Sequence, residues 1–195
     1  MHANERSQRL LDILVDESLR FGEFQLASGA TSDYYIDGKY TTLHPEGVLQ
    51  IAHLMLDRLD SLGLDAVGGV TLGGDPIVGA MAAVSHERGK PLHAFIIRKQ
   101  SKDHGTMRMI EGYELTPGSK VAVVEDVVST GGSALRAIDS VEETGAKVTH
   151  VLSVVDRVMG ADEAFEERGI DYSALFSKEQ LLDRAEERGL RPSVK

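Results

Sequence analysis

The chain has 195 residues, 42% of them hydrophobic and 27% charged, so it can build one domain with a sizeable core and is neither a disordered nor a membranous sequence. It contains no cysteine, which excludes disulfides, thiolate metal sites and a cysteine nucleophile. A formal net charge of −10 argues against general nucleic-acid binding. No apolar run approaches the ~18 residues of a spanning helix, and the stretch MHANERSQRLLDIL is too charged for a secretory segment, so a cytoplasmic protein without membrane contact is expected.

Residues 5–20 place Leu10, Leu11, Ile13, Leu14, Val15 and Leu19 at helical spacing. In 21–40, Phe24 and Leu26 alternate as in a short strand, Ser28 and Gly29 turn the chain, and Tyr34, Tyr35 and Ile36 resume an extended run. This segment reads as a hairpin with two packing tyrosines, or as aromatic faces and turn amides that hold a planar ring. Residues 46–62 form an amphipathic helix opened by Pro45 and ended near Gly63. A strand follows over 66–70, then the turn TLGGDP, then a helix over 77–86 started at Pro76. Gly73 and Gly74 either bring amides close to a phosphate group or belong to an ordinary strand–helix turn.

The strand over 93–97 runs into RKQSKDHGTMRM, residues 98–109, which carries Arg98, Lys99, Lys102, His104 and Arg108 without apolar periodicity. A mobile loop is expected, either simply solvated or acting as a cationic lid over a polyphosphate leaving group. A short strand over 110–115 precedes the turn at Pro117 and Gly118.

The stretch VAVVEDVVSTGGSAL, residues 121–135, organises the rest. Residues 121–124 are a buried-strand run, closed by Glu125 and Asp126. Ser129, Thr130, Gly131, Gly132 and Ser133 then lead into a helical pattern through Leu135, Ile138 and Val141. A strand, a small-residue turn and a helix N-terminus make an anion site, because close backbone approach, unpaired N–H groups and the macrodipole act together. A simple helix cap explains one polar residue but not five small ones behind two carboxylates. The turn has no lysine, so it is not a P-loop, and it lacks the dinucleotide G-x-G-x-x-G spacing.

After a helix closed at Gly145, residues 147–155 form a strand that ends in Asp156 and Arg157. Arg157 is placed to take a carboxylate in bidentate fashion, or else to pair with Asp156. Residues 161–168 read as helix, 171–176 as strand and 178–188 as a charged terminal helix. The alternation gives an α/β fold with a parallel sheet covered on both faces. The turns after residues 70, 97, 124 and 155 all lie at carboxyl ends of strands, where ligands bind in such sheets.

The segment VVEDVVSTGGS resembles the phosphoribosyl pyrophosphate (PRPP) motif of the type I phosphoribosyltransferases. Over residues 20–160 the chain resembles the orotate phosphoribosyltransferases, through F-x-L-x-SG, SDYYID, the loop R-K-x-x-K-x-H-G at 98–105, and the Arg157 that ends VVDR. The resemblance implies the type I phosphoribosyltransferase fold as a single domain over 1–195, with a small hood from about 1–40 and the C-terminal part. It implies that orotate and PRPP give orotidine 5′-monophosphate and pyrophosphate, with Mg²⁺, in pyrimidine synthesis. PRPP would be met by Arg98, Lys99, Lys102, His104, Glu125, Asp126 and the turn Ser129, Thr130, Gly131, Gly132 and Ser133. Asp126, Lys102 and His104 would be catalytic, and Glu125 and Asp126 would hold the metal, directly or through water. Orotate would contact Ser28, Tyr34, Tyr35, Thr130 and Arg157. A homodimer is implied, in which loop 98–108 acts in the neighbouring subunit's site. Two positions depart from the family pattern: Ala27 and Gly73 stand where many members have lysine. Another acceptor base, or a PRPP-sensing regulator of the same fold, are the alternatives; the loop 98–105, Arg157 and the acidic balance favour the orotate enzyme.

Overall fold

The computed structural model describes residues 2–25, 29, 31–99 and 109–190. The chain opens with α1 (Ala3–Ile13), and a π-helical turn, Leu14–Ser18, leads into β1 (Leu19–Gln25). The helix expected over 5–20 therefore stops early. The wider turn keeps Leu14 and Val15 buried while Leu19 enters a strand, also buried. Strand β1 pairs antiparallel with β2 (Thr31–Ile36), which is the expected hairpin. The four-residue helix α2 (Lys39–Thr42) was not legible from periodicity; a buried contact of 2.7 Å between the Ser18 and Thr41 hydroxyls ties it to the π-turn.

The core follows with α3 (Pro45–Leu59), β3 (Ala66–Val70), α4 (Gly74–Glu87), β4 (His93–Ile97) and β5 (Ile110–Gly112). Then come β6 (Lys120–Val128), α5 (Gly132–Glu142), β7 (Lys147–Asp156), α6 (Ala161–Glu166), β8 (Asp171–Ser177) and α7 (Lys178–Glu187). Helix α4 begins before Pro76, not at it. A proline in the first turn removes an N–H that has no intrahelical partner there.

Six strands form one sheet in the order β5-β4-β3-β6-β7-β8. All its pairings are parallel except β4 with β5, so the expected parallel sheet carries one antiparallel edge strand, shorter than the 110–115 predicted. Alternation along β6 sends Ala122 and Val124 toward the core built on α1, α3, α4 and α7, and Val121 and Val123 toward α5 and α6. Each fully buried valine contributes about 1.5–3 kcal/mol relative to exposure. The terminal helices α1 and α7 join the first core through Leu10, Leu14, Leu181 and Ala185, with Arg184 Nε on Asp12 at 2.8 Å. Of the segments expected to form a hood, the β1–β2 hairpin makes a two-stranded sheet of its own, apart from the six-stranded one. No described helix is long and apolar enough to cross a membrane.

From β3 the chain crosses by α4 to β4 on one side; from β6 it crosses by α5 to β7 on the other. The neighbours β3 and β6 therefore flank a topological switch point, and the crevice at their carboxyl ends is where an open α/β sheet binds ligands.

Candidate active site

Strand β6 runs on through Val128, so Glu125 and Asp126 lie inside it rather than closing it. Ser129 and Thr130 form the turn, and Gly131 is the N-cap of α5 with φ 76°, a conformation glycine adopts at little cost. A Cβ at Gly131 would also meet Phe165 Cζ at 3.0 Å. No side chain caps α5, while the Gly131 carbonyl accepts the Leu135 N–H at 2.9 Å. The first N–H groups of an 11-residue helix thus front a cavity of about 330 Å³ lined by Glu125, residues 127–134 and Arg136. The turn expected to cradle an anion stands here: Ser129, Thr130, Gly131, Gly132 and Ser133 all border the cavity. Arg136 was missed from sequence. Its signal is the i+4 spacing from Gly132, which puts the guanidinium on the cradle side one turn later.

The period of the strand separates the two carboxylates. Glu125 borders the cradle on the α5 side. Asp126 lies on the other side, against the backbones of Gly38 and Gly73, where a Cβ at Gly38 would be 2.8 Å from its Oδ2 and one at Gly73 would overlap its carboxylate. Gly38 and Lys39 were also missed. Their signal is a glycine between charges directly after the extended SDYYI run. Lys39 is ion-paired to Asp37, and both act on Asp126.

Burial dominates the electrostatics. Glu125 is 6% exposed, and its carboxyl is pushed up to about 8 by desolvation first and the neighbouring Asp126 second, with Lys99 and Arg136 opposing. Desolvation also raises Asp126, against hydrogen bonds from the Val127 amide and its own and the charge of Lys39. Such a pair is best satisfied by hydroxyl donors or a divalent cation. Among the described residues no cluster of three or more His, Cys, Asp or Glu could hold a metal by itself. One or two carboxylates completed by substrate phosphates is a fitting arrangement for Mg²⁺, so the residues present suit an ion that arrives with a polyphosphate.

Beside the crevice, a cavity of about 450 Å³ is lined by Thr71, Asp75, Ile96, Arg98, Lys99 and Glu111. Arg98 Nη1 donates to Glu111 Oε1 at 3.0 Å, and the Thr71 hydroxyl donates to Asp75 Oδ1 at 3.3 Å. Burial raises the Asp75 carboxyl. Ala27, Ser28, Lys102 and His104 lie outside the described residues. The two tyrosines are split by the pleat of β2. Tyr34 packs on the first core, and Tyr35 is 41% exposed on the opposite face, its ring 5.5 Å from that of Phe24. Arg157 does not pair with Asp156; its Nε is buried and has no hydrogen-bond partner.

A family model for the phosphoribosyl transferase domain matches residues 40–172. The orotate phosphoribosyltransferase of Nostoc sp. is 45% identical over 182 residues, covering 93% of this chain and 88% of that one. That of Synechocystis sp. is 47% identical over 170 residues, covering 87% and 85%. Among solved structures, Mycobacterium tuberculosis orotate phosphoribosyltransferase in complex with PRPP superposes with a TM-score of 0.75 at 36% identity, covering 91% of this chain and 98% of that chain. With its cradle and acid pair at the sheet's switch point, the chain belongs to the orotate phosphoribosyltransferase family.

Proposed function

We propose that this chain transfers the phosphoribosyl group of PRPP to orotate in pyrimidine synthesis, releasing pyrophosphate. The observation that carries the proposal is the uncapped α5 N-terminus fronting a cavity that the buried Glu125 also borders, with Asp126 next in the strand. The cradle is suited to a 5′-phosphate and the carboxylates to ribose hydroxyls one group further along. Arg157, buried at Nε without a partner one strand over, is suited to the orotate carboxylate. Tyr35, exposed, fits a ring contact better than the core-packed Tyr34. The names of the relatives support orotate as acceptor over another base.

In the reaction the bond from ribose C1 to the pyrophosphate oxygen breaks, its electron pair leaves with pyrophosphate, and the acceptor nitrogen bonds to C1 as its proton departs, to be carried off by the released pyrophosphate. Positive charge grows at C1 and the ring oxygen while negative charge grows on the leaving group. The protein's work is therefore positioning and charge stabilisation. Glu125 and Asp126 orient the ribose, the cradle anchors its phosphate, and Arg98 and Lys99 stand on the leaving-group side. Mg²⁺, when bound with PRPP, neutralises phosphate charge; Glu125 and Asp126 would hold it, directly or through water. The proposal includes a cytoplasmic homodimer in which Lys102 and His104 of loop 98–108 serve the neighbouring site. Its support is the concentration of cations in an acidic sequence. The decisive assay follows loss of orotate's ultraviolet absorption with PRPP and Mg²⁺. Turnover with orotate, and none with uracil or adenine, is expected; the reverse preference would refute orotate as acceptor.

A further inference from the structure

The turn after β7 does not follow from the requirements of an ordinary strand end. Val158 has φ 52°, in the left-handed region, where a β-branched side chain is crowded against its own backbone. Its side chain is 51% exposed, so packing does not hold it there. The holding contact comes from Asp156, only 8% exposed, whose Oδ1 accepts the Val158 N–H at 2.7 Å. This is a side chain turning its own backbone two residues on. On the other side the Arg157 N–H donates to the Val128 carbonyl at 2.8 Å. The backbone of Arg157 is therefore pinned before and after, and its side chain keeps a buried Nε without a partner. A buried donor left unsatisfied is costly, and this one stays so while a buried carboxylate one residue away is committed to the turn.

We infer that Asp156 is a positioning residue for acceptor recognition: by holding Val158 in the left-handed conformation it fixes the backbone from which Arg157 offers its unpartnered guanidinium to the acceptor's carboxylate. The inference rests on the reading of Arg157 as the orotate-carboxylate partner. Asp156 itself touches no substrate in this scheme. What it supplies is the shape of the turn, so an acceptor oxygen at its side chain matters and its charge does not.

The test uses the full-length enzyme and four variants. Asp156→Ala should raise KM for orotate roughly tenfold, with kcat and KM for PRPP within about twofold of native. Asp156→Asn keeps an oxygen that accepts the Val158 N–H and should stay within about twofold. In Asp156→Ala/Val158→Gly, glycine adopts the left-handed conformation unaided and should bring KM for orotate back to within about threefold. Hydrogen exchange without substrates should show the Val158 amide protected in native enzyme and Asp156→Asn, and exposed in Asp156→Ala. Equal rises in both KM values, a fall in Tm with unchanged KM, or no recovery with glycine would overturn the inference. If Asp156→Ala alone does not fold, the double variant decides: a rise of about tenfold or more in its orotate KM overturns it, and a near-native value supports it. Arg157→Ala separates the two layers. If it leaves the orotate KM unchanged, the reading of Arg157 falls and this inference with it; if it raises that KM and Asp156→Ala does not, the inference alone falls.

Discussion

Gly73→Ala is the substitution for which the structure gives the sharpest expectation. Gly73 has φ −67° and ψ −33°, so alanine fits the backbone without strain, and the whole effect must come from what its Cβ meets. It meets the Asp126 carboxylate, overlapping it, while Gly38 lies close as well, with a virtual Cβ 2.8 Å from Asp126 Cβ. With both glycine backbones close to it, the carboxylate can clear the new methyl only by moving on the order of 1 Å, since non-bonded carbons settle near 3.5–4.0 Å. A misplacement of about 1 Å at a reacting centre costs on the order of 10²-fold in rate. Stability should suffer less. Overpacking costs about 1–3 kcal/mol, and alanine returns about 0.4–1 kcal/mol by restricting the unfolded chain. The net cost, about 0–2.6 kcal/mol, lowers Tm by no more than about 10 °C for a chain of this size. Steady-state assays well below that Tm, with saturating PRPP and orotate, should therefore show kcat down by about two decades. In a double-mutant cycle with Asp126→Asn the loss should nearly vanish, because the methyl acts through that carboxylate. Gly73→Lys should behave like Gly73→Ala, not restore a cation to the PRPP site. Native kcat in Gly73→Ala, or tighter PRPP binding in Gly73→Lys, would refute the argument.

Arg157→Ala should raise KM for orotate by roughly one to two decades, the worth of a charge-assisted bidentate contact of about 1.5–3 kcal/mol, and leave KM for PRPP nearly unchanged. Equal effects on the two substrates would make Arg157 structural. The Glu125 carboxyl is raised from 4.5 to about 8 in the folded chain, so the stability tied to its proton is full below 4.5 and is lost as pH rises through 8. Thermal melts without ligands should show Tm falling across that window, and Glu125→Gln should flatten the slope; an unchanged slope would mean another group titrates. Finally, Lys102→Ala and Asp126→Asn, each stripped of most turnover alone, should regain up to about half of native activity when subunits are exchanged, since one site of the heterodimer carries neither defect if the loop acts in trans. Demonstrated exchange without recovery would place Lys102 in its own subunit's site.

What could be read from sequence was what one segment settles by itself. Residues 121–133 carry strand, turn and helix start in order, and the cradle forms from those local choices. The crossings through α4 and α5 were equally legible, because each helix has its own apolar stripe. The early end of α1 was not. Leu14, Val15 and Leu19 are buried either in a continued helix or in a π-turn and strand, and contacts with a later segment, the Ser18–Thr41 hydroxyl pair and the pairing of Leu19 with Ile36, accompany the second outcome. The same applies to Asp126. Its neighbours Gly38 and Gly73 both lie far earlier in the chain, and nothing local marks them as its walls.

The separation of Glu125 from Asp126 by the strand's two-residue period gives the paired acids different electrostatic surroundings. Glu125 is opposed by Lys99 from the end of β4 and Arg136 from α5; Asp126 is opposed by Lys39 from α2 and by backbone amides. Three cations on three separate elements thus counter two carboxylates that share one strand. An acidic chain can receive a polyanion at this point only if those cations are spent on the ligand as well as on the acids. That in turn requires the acids to be satisfied from the ligand's side, by hydroxyl groups or a divalent ion. A ribose flanked by phosphates supplies both kinds of partner at once, whereas an isolated phosphate supplies neither. The proposed function thus gives the acid pair the task of selecting phosphate joined to a polyhydroxyl ring, a task the cradle alone would not perform.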